Sequence, residues 1–269
     1  MNFYATILGS GAATPTIRRY CCSQVVNIEG LKLLFDCGEG TQRQVRKYRQ
    51  KLQSLAHIFI SHMHGDHFFG LPGLLSTMHL CGRKEPVDVF GPAGIEAATR
   101  AILSASGHNI DFEITFHELD FENGTKLLLD HKNCTVEAFK LIHSVPTYGF
   151  RVTEKPRGSK PPRSMAYCCD TLCDDSLLPY IDKVNLLIID STFDDDFEAA
   201  AVEKLHGTAS MAARLALKAD VDQLLLTHIS ARYHTASDLL AQARAVFENT
   251  LAAEDGLIVP IAHRGRSKK

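Results

Sequence analysis

The sequence predicts an α+β chain in which two β-sheets pack face to face and carry their helices on the outside. Three observations lead there. Short runs rich in Val, Ile and Phe, each closed by Gly, Asp or Ser, dominate the first third of the chain. The same rhythm returns in the second half, and helical patterns lie between the strands in both halves. A helix with one apolar stripe must bury it against another element, and two such sheets offer their outer faces.

Taken in order, Phe3–Leu8, Gln24–Ile28, Lys32–Asp36 and His57–Ser61 read as strands. Between them Gly40–Gln53 is polar and helix-forming, with Val45, Tyr48 and Leu52 along one side. Leu71–Leu80 reads as a short helix, Val87–Phe90 as a strand, and Gly94–Ala105 as an amphipathic helix after a Gly-Pro turn. In the second half Thr135–Leu141, Tyr148–Val152, Met165–Cys169, Leu186–Ile189 and Gln223–Thr227 are expected strands. Phe197–Leu205, Ser210–Ala219 and Ala236–Phe247 are expected helices. The one shift in composition is Glu154–Arg163, a polar loop of Lys, Arg, Pro, Gly and Ser. No fixed-period repeat or domain boundary appears. We therefore expect one domain over residues 1–263 and a basic, disordered tail from Arg264 to Lys269.

Composition narrows the function classes. A chain of 269 residues can fill one large core, and 45% hydrophobic with 22% charged residues is ordinary for a soluble globular protein. A formal charge of -2 rules out a general attraction to nucleic acid, so any such substrate must be held by a local patch or by metal ions. The N-terminal residues lack a basic segment before an apolar run, and no apolar run reaches the roughly 18–20 residues of a membrane span. Eight cysteines include the adjacent pairs Cys21-Cys22 and Cys168-Cys169, which bridge poorly, and no C-x-x-C occurs. Buried, reduced thiols in a cytoplasmic protein with no membrane partner are the expectation.

The chemistry is concentrated in Ser61-His62-Met63-His64-Gly65-Asp66-His67. His62, His64, Asp66 and His67 fall within six residues, immediately after Ile58-Phe59-Ile60. Imidazole nitrogen and carboxylate oxygen suit zinc and its borderline neighbours. A turn leaving a strand end can aim alternate side chains at one point, and Gly65 lets the backbone fold tightly there. Four candidates do not complete two metal sites. Partners are sought at the ends of later strands: His143, Asp170 and His228, with Asp170 able to bridge two ions.

The His-x-His-x-Asp-His segment, followed by single ligands in this order, resembles the metallo-β-lactamase superfamily. Within it, several stretches resemble the short-form ribonuclease Z family of tRNA 3′-processing endonucleases: Leu8-Gly9-Ser10-Gly11-Ala12-Ala13-Thr14-Pro15, Phe35-Asp36-Cys37-Gly38-Glu39-Gly40-Thr41-Gln42, Phe69-Gly70-Leu71-Pro72-Gly73-Leu74, His143–Gly149 and Leu226-Thr227-His228-Ile229-Ser230-Ala231-Arg232-Tyr233. The resemblance covers nearly the whole chain. It implies a four-layer αβ/βα sandwich of two mixed sheets with the site at their shared edge. It implies His62, His64 and His143 on one metal, Asp66, His67 and His228 on the other, and Asp170 between them. Two zinc ions are the implied cofactors, with manganese or iron(II) as alternatives, and precursor tRNA is the implied substrate. A smaller phosphodiester is the alternative substrate. A homodimer is also implied, and the apolar Phe68–Leu80 segment offers a surface for it.

Three catalytic roles follow from the resemblance. Asp66 would orient a water or accept its proton, and His206, held by a carboxylate, would protonate the leaving 3′-oxygen. The family usually places that carboxylate as Glu in a His-Glu-Ala-Thr segment; the matching stretch here is Ile189-Asp190-Ser191-Thr192, so Asp190 is one methylene shorter. Ser230 and Arg232 are candidate anchors for substrate phosphate. The chain departs from the family in one place. Short-form members carry a long arm that grips the tRNA elbow between the third and fourth ligand motifs, but only twenty residues separate Gly149 from Asp170 here. Glu154–Arg163 is all that remains, and its Lys155, Arg157, Lys160 and Arg163 are the charges available to touch phosphate.

Overall fold

The chain folds into two seven-stranded sheets, and the computed structural model describes residues 2–107, 109–156 and 158–264. The first six strands are β1 (Phe3–Gly9), β2 (Ser23–Ile28), β3 (Leu31–Phe35), β4 (Leu55–Phe59), β5 (Val87–Pro92) and β6 (Ile114–Leu119). The next seven are β7 (Thr125–Asp130), β8 (Cys134–Lys140), β9 (Tyr148–Glu154), β10 (Ser164–Cys168), β11 (Leu186–Asp190), β12 (Leu224–Thr227) and β13 (Thr250–Ala252). A last strand, β14 (Ile258–Pro260), crosses back to pair antiparallel with β1. Spatial order is β14-β1-β2-β3-β4-β5-β6 in one sheet and β13-β12-β11-β10-β9-β8-β7 in the other.

Both sheets are mixed in the same way. β1, β2 and β3 run antiparallel, then β3 to β6 run parallel. β7 to β10 run antiparallel, then β10 to β13 run parallel. Parallel strands are covered on both faces, so they are written as unbroken apolar runs, as in Leu186-Leu187-Ile188-Ile189 and Leu224-Leu225-Leu226. The inner faces meet in a core where Phe35 stacks on Phe59 at 5.0 Å and Phe150 lies 5.6 Å from both rings.

Helices cover the two outer faces. α1 (Thr41–Lys47), α2 (Gly65–Phe68), α3 (Gly70–Leu80) and α4 (Ile95–Ala105) belong to the first half. Val45, Leu74, Met78 and Ile95 bury themselves there with Leu34, Ile58 and Val89. α5 (Leu178–Ile181), α6 (Glu198–Glu203), α7 (Ala209–Lys218) and α8 (Ser237–Val246) belong to the second. Ile181, Ala212, Ala216 and Leu239 join Ile189 and Leu226 in the matching outer core. This is the four-layer sandwich expected from the sequence.

Several local expectations are corrected. The helix read over Gly40–Gln53 stops at Lys47, because Arg49 turns left-handed (φ 55) and the Gln50 amide reaches back to the Val45 carbonyl at 2.8 Å. A short 3-10 turn, Leu52–Ser54, takes up the rest. Strands β6, β7, β13 and β14 carry little signal: β7 is an exposed edge strand, β6 is half-buried, and the last two are three residues each. The Phe68–Leu80 segment turns Phe68, Leu71, Leu74, Leu75 and Met78 inward, which leaves Phe69 and Leu80 as its exposed large side chains.

The basic loop is also reinterpreted. β9 runs to Glu154 and β10 begins at Ser164, so the segment is a tight hairpin connection. Arg163 is buried, and its guanidinium grips Glu154 at 3.0 and 2.7 Å and the Ile261 carbonyl at 2.9 Å. Lys155 pairs with Asp130. These two cations serve the fold instead of a phosphate; Arg157 lies outside the described residues. Of the basic tail, Arg264 is described and pairs with Asp220 at 2.8 Å, while 265–269 lie outside the described residues. No helix among the described residues is long and apolar enough to cross a membrane.

Candidate metal centre and active site

Every candidate ligand sits at the carboxyl end of a strand or in the loop that leaves it, where open α/β sheets place their sites. β4 leads into Ser61–His67, β8 into His143, β10 into Asp170, β11 ends on Asp190, and β12 leads into His228. His64 caps α2, so Asp66 and His67 fall in its first turn, one helical step from His62 and His64. Gly65 leaves room for the exposed Phe69 ring, which a Cβ there would meet at 2.5 Å. Asp36 and His228 follow β3 and β12 with φ of 56 and 58, a left-handed conformation that turns His228 toward the cleft and Asp36 toward the buried side of His67.

The ligand atoms converge in two groups. In the first, His62 Nε2 lies 3.0 Å from His64 Nδ1, and His143 Nε2 lies 3.3 Å from that same atom. Asp170 Oδ2 faces them, 3.6 Å from His62 and 3.9 Å from His143. In the second, the Nε2 atoms of His67 and His228 stand 3.3 Å apart. Asp66 Oδ2 is 3.2 Å from each, and Asp170 Oδ1 is 3.3 and 3.2 Å from them. Nitrogen and oxygen ligands held at about 2.0–2.1 Å in a tetrahedron around zinc stand about 3.3 Å apart. The second group has this spacing on five edges, and the first approaches it.

The imidazoles are also locked for the task. His62 Nδ1 faces Ser61 Oγ at 2.9 Å, and His67 Nδ1 faces Asp36 Oδ2 at 2.7 Å. His143 Nδ1 faces the Leu205 carbonyl at 3.2 Å, and His228 Nδ1 faces Thr192 Oγ1 at 2.8 Å. Anchoring one ring nitrogen orients the other and selects its tautomer, which is how metal-binding histidines are held. Asp36 is itself saturated by the Ser61 amide and hydroxyl and by the Tyr167 hydroxyl, which donates at 2.5 Å. The Ala13 amide donates to Asp66 Oδ2 at 2.8 Å.

Charge makes the same demand as geometry. Burial pushes the Asp66 and Asp170 carboxyls up, yet the surrounding histidines hold both below the usual carboxylate range. Burial would likewise strip His228, but Asp170 and Asp66 push it up to about 10, and His67 rises in the same way. His62 moves the other way, lowered by burial and by the neighbouring imidazoles. A pocket of this kind needs positive charge beside its carboxylates, and either protons or divalent cations can supply it. The donor set therefore fits two metal ions: three groups of His, Cys and Asp have ligand atoms within 4.8 Å of one another, and Asp170 belongs to all of them.

A cleft of about 410 Å³ opens over the cluster, lined by His64, Asp66, His143, Asp170, His206 and His228 among others. His206 Nδ1 lies 2.7 Å from Asp190 Oδ2, so the shorter Asp reaches its histidine at full hydrogen-bonding distance. Burial would drive the proton from His206, but Asp190 raises the imidazole above its ordinary value. Asp190 is fixed in turn by the Thr192 hydroxyl at 2.7 Å and the Thr192 amide at 3.0 Å. Ser230 and Arg232 are not among the residues lining this cleft. Arg232 is exposed and stacks over Phe193 and Phe197 at 5.0 and 4.3 Å. The sequence alone does not single out Asp36 and Thr192; an Asp just past a strand end and a Thr two residues past another carry no ligand signature.

Comparisons with known proteins agree with this geometry. The beta-lactamase superfamily domain matches residues 32–229, a span that contains all seven candidate ligands with Asp190 and His206. A ribonuclease Z of Bacteroides fragilis is 37% identical over 303 aligned positions, covering 97% of this chain and 99% of the relative. A ribonuclease Z of Prochlorococcus marinus is 34% identical, covering 95% and 99%. The crystal structure of the human short-form tRNase Z superposes with a TM-score of 0.83 at 34% identity, covering 96% of this chain and 99% of that one. The alignment with the Bacteroides relative is longer than the 269 residues of this chain, as a segment shortened here requires. Fold, cleft and relatives together make this chain a member of the metallo-β-lactamase superfamily and, within it, of the ribonuclease Z family.

Proposed function

We propose that this chain is a two-metal endoribonuclease that removes the 3′ trailer from precursor tRNA. The observation that carries the proposal is Asp170, whose two oxygens face two separate groups of imidazoles beneath a cleft that also holds the His206–Asp190 pair. His62, His64 and His143 would hold one cation and Asp66, His67 and His228 the other, with Asp170 shared. Zinc is the metal we assign, from the tetrahedral spacing of the second group and its nitrogen and oxygen donors. Cations bound there would neutralise phosphodiester oxygens and lower the pKa of a water enough for it to attack near neutral pH.

The protein's own residues do the rest. Asp66 lies at the cleft, held by the Ala13 amide, where it can orient the attacking water and accept its proton. Asp190 raises His206 and occupies its Nδ1, which leaves Nε2 to donate to the departing 3′-oxygen. As that proton leaves, Asp190 stabilises the ring in position for the next cycle. The relatives named ribonuclease Z supply the substrate class: RNA that carries a trailer to be cut. Eight free thiols, seven of them buried, favour the reducing cytoplasm as the place of reaction.

The test is a paired assay. Zinc-loaded protein is incubated with a precursor tRNA bearing a 3′ trailer and, separately, with bis(p-nitrophenyl) phosphate. Cleavage of both is expected. Hydrolysis of the small ester with no trimming of the trailer would overturn the tRNA assignment while leaving the two-metal hydrolase standing.

A further inference from the structure

A cleft of about 410 Å³ takes only the scissile phosphate and its immediate neighbours, so the rest of an RNA substrate must lie on the protein outside it. With a formal charge of -2, the chain as a whole does not attract a polyanion. The helix layers on the two sides of the cleft differ sharply in charge. On the side of α6, Asp194 to Glu203 carries five carboxylates and no Lys or Arg, with Lys204 and Arg232 beside it. On the side of α1, the eleven residues from Thr41 to Lys51 carry Arg43, Arg46, Lys47, Arg49 and Lys51 and no carboxylate. All five cations are exposed. Among the described residues none of the five forms an ion pair with Asp or Glu; Arg46 donates to the Cys81 sulfur, and Lys47 lies 4.9 Å over the Tyr48 ring.

Placement joins this charge to the site. α1 buries Thr41, Gln44 and Val45, which turns Arg43, Arg46 and Lys47 outward together, three and four residues apart. Like charges at that spacing weaken a helix, so the set calls for a partner outside it. The helix begins at the ligand loop: the Cys37 amide donates to the His67 carbonyl at 2.7 Å, and the Thr41 hydroxyl donates to the Gly38 carbonyl at 2.7 Å. Chain length then keeps Lys47 within roughly 25 Å of that loop. Lys47 lines a groove of about 300 Å³ with Arg18, His234 and Thr235. Arg18 and His234 also line the next groove with Pro15 and Tyr233, two residues from the Ala13 amide that holds Asp66. Glu254 and Asp255 line the smaller groove too, but Asp255 is occupied by Ser10, Tyr20 and Gln44.

We propose that the exposed face of α1, with Arg43, Arg46 and Lys47 at its centre, binds the phosphate backbone of the base-paired RNA stem next to the trailer. The inference rests on the tRNA reading above and says where that substrate lies. The carboxylates on the α6 side repel the stem, and the unpaired cations of α1 attract it, so the RNA crosses the cleft in one direction. Contacts of this kind are blind to sequence, as suits an enzyme that must accept many tRNAs, and they are screened by salt.

The test is a triple variant, Arg43→Gln with Arg46→Gln and Lys47→Gln, in which glutamine keeps the helix-forming tendency of α1 and removes its charge. Trailer cleavage is measured on precursor tRNA over a range of salt, with bis(p-nitrophenyl) phosphate as the substrate that needs no stem. KM for precursor tRNA is expected to rise about 10-fold or more at low salt, with kcat little changed, and the slope of log KM against log salt to flatten by about 2–3. A second variant with Lys126, Lys132 and Lys183 changed to Gln removes the same charge from other exposed positions and should shift KM far less. An unchanged KM and salt slope in the α1 variant would overturn the proposal and leave the tRNA reading intact. An equal rise in the second variant would overturn it as well, since net charge alone would then account for the effect. So would a matching loss on bis(p-nitrophenyl) phosphate, which would tie α1 to the metal centre instead of the RNA. Failure of the unsubstituted protein to cut the trailer, with the small ester still hydrolysed, would overturn the tRNA reading and this inference with it.

Discussion

The two halves of the molecule build the same site in different ways. The first half delivers His62, His64, Asp66 and His67 from one loop, so a strand end and a single helical turn fix four candidate ligands together. The second half delivers one residue per strand: His143 after β8, Asp170 after β10, Asp190 on β11 and His228 after β12. The local set owes its geometry to a few adjacent dihedral angles. The distributed set owes its geometry to the register of four strands and to the packing of one sheet on the other. The difference teaches that the first set is robust to distant change, while the second depends on every element that holds those strands in line.

The sharpest way to break the comparison is at Asp170, the second-half residue that faces both groups of imidazoles. Asp170→Ala should release metal from both groups and lower kcat by on the order of 10³-fold or more, read by elemental analysis and steady-state assay. Retention of both ions would show that each group of imidazoles holds its ion without Asp170. His206→Ala should lower kcat by about 10²–10⁴-fold with metal content unchanged, since it removes a proton donor and not a ligand. Metal loss in that variant would place His206 among the ligands, with Asp170, Asp190 and His228.

Smaller effects compare the anchors of the two halves. Asp36→Asn should weaken metal binding by about 10–100-fold, because it loosens His67 and the Ser61 turn together. Thr192→Val should cost less in metal binding, about 10-fold, since of the ligands it loosens only His228; its hydroxyl also donates to Asp190. An equal loss in both would mean that the distributed half is held as firmly as the local one. The smallest expected change is a shift in a pH profile. Asp190 raises His206, so the protonated acid persists as pH climbs to that raised value and is lost above it. Asp190→Asn removes the raising charge, and the alkaline limb of kcat should move to lower pH; a limb that stays in place would detach Asp190 from that role.

Much of this site was legible in the residues themselves. Four ligand residues in six positions after an apolar strand state their purpose without any tertiary context. Asp190 carried less signal, being one methylene shorter than the Glu of the family pattern, yet it reaches His206 at 2.7 Å. Other features were invisible for a physical reason. Asp36 is one carboxylate among many until Ser61 and His67 of one loop and Tyr167 of β10 close around it. Arg163 looked like a cation for phosphate, and only its burial against Glu154 and the Ile261 carbonyl shows that it belongs to the fold. Strand β7 was missed because an exposed edge needs no apolar alternation.

The sequence by itself determined the sandwich of sheets and helices and the loop of candidate ligands. Those features follow from periodicity, ligand chemistry and chain length, which are local properties of a polymer. Only the tertiary structure decided how His143, Asp170, Asp190 and His228 meet the loop. Ligands delivered one per strand come within reach of a common ion only when the sheets align, and alignment is a property of the packed core and not of any one segment.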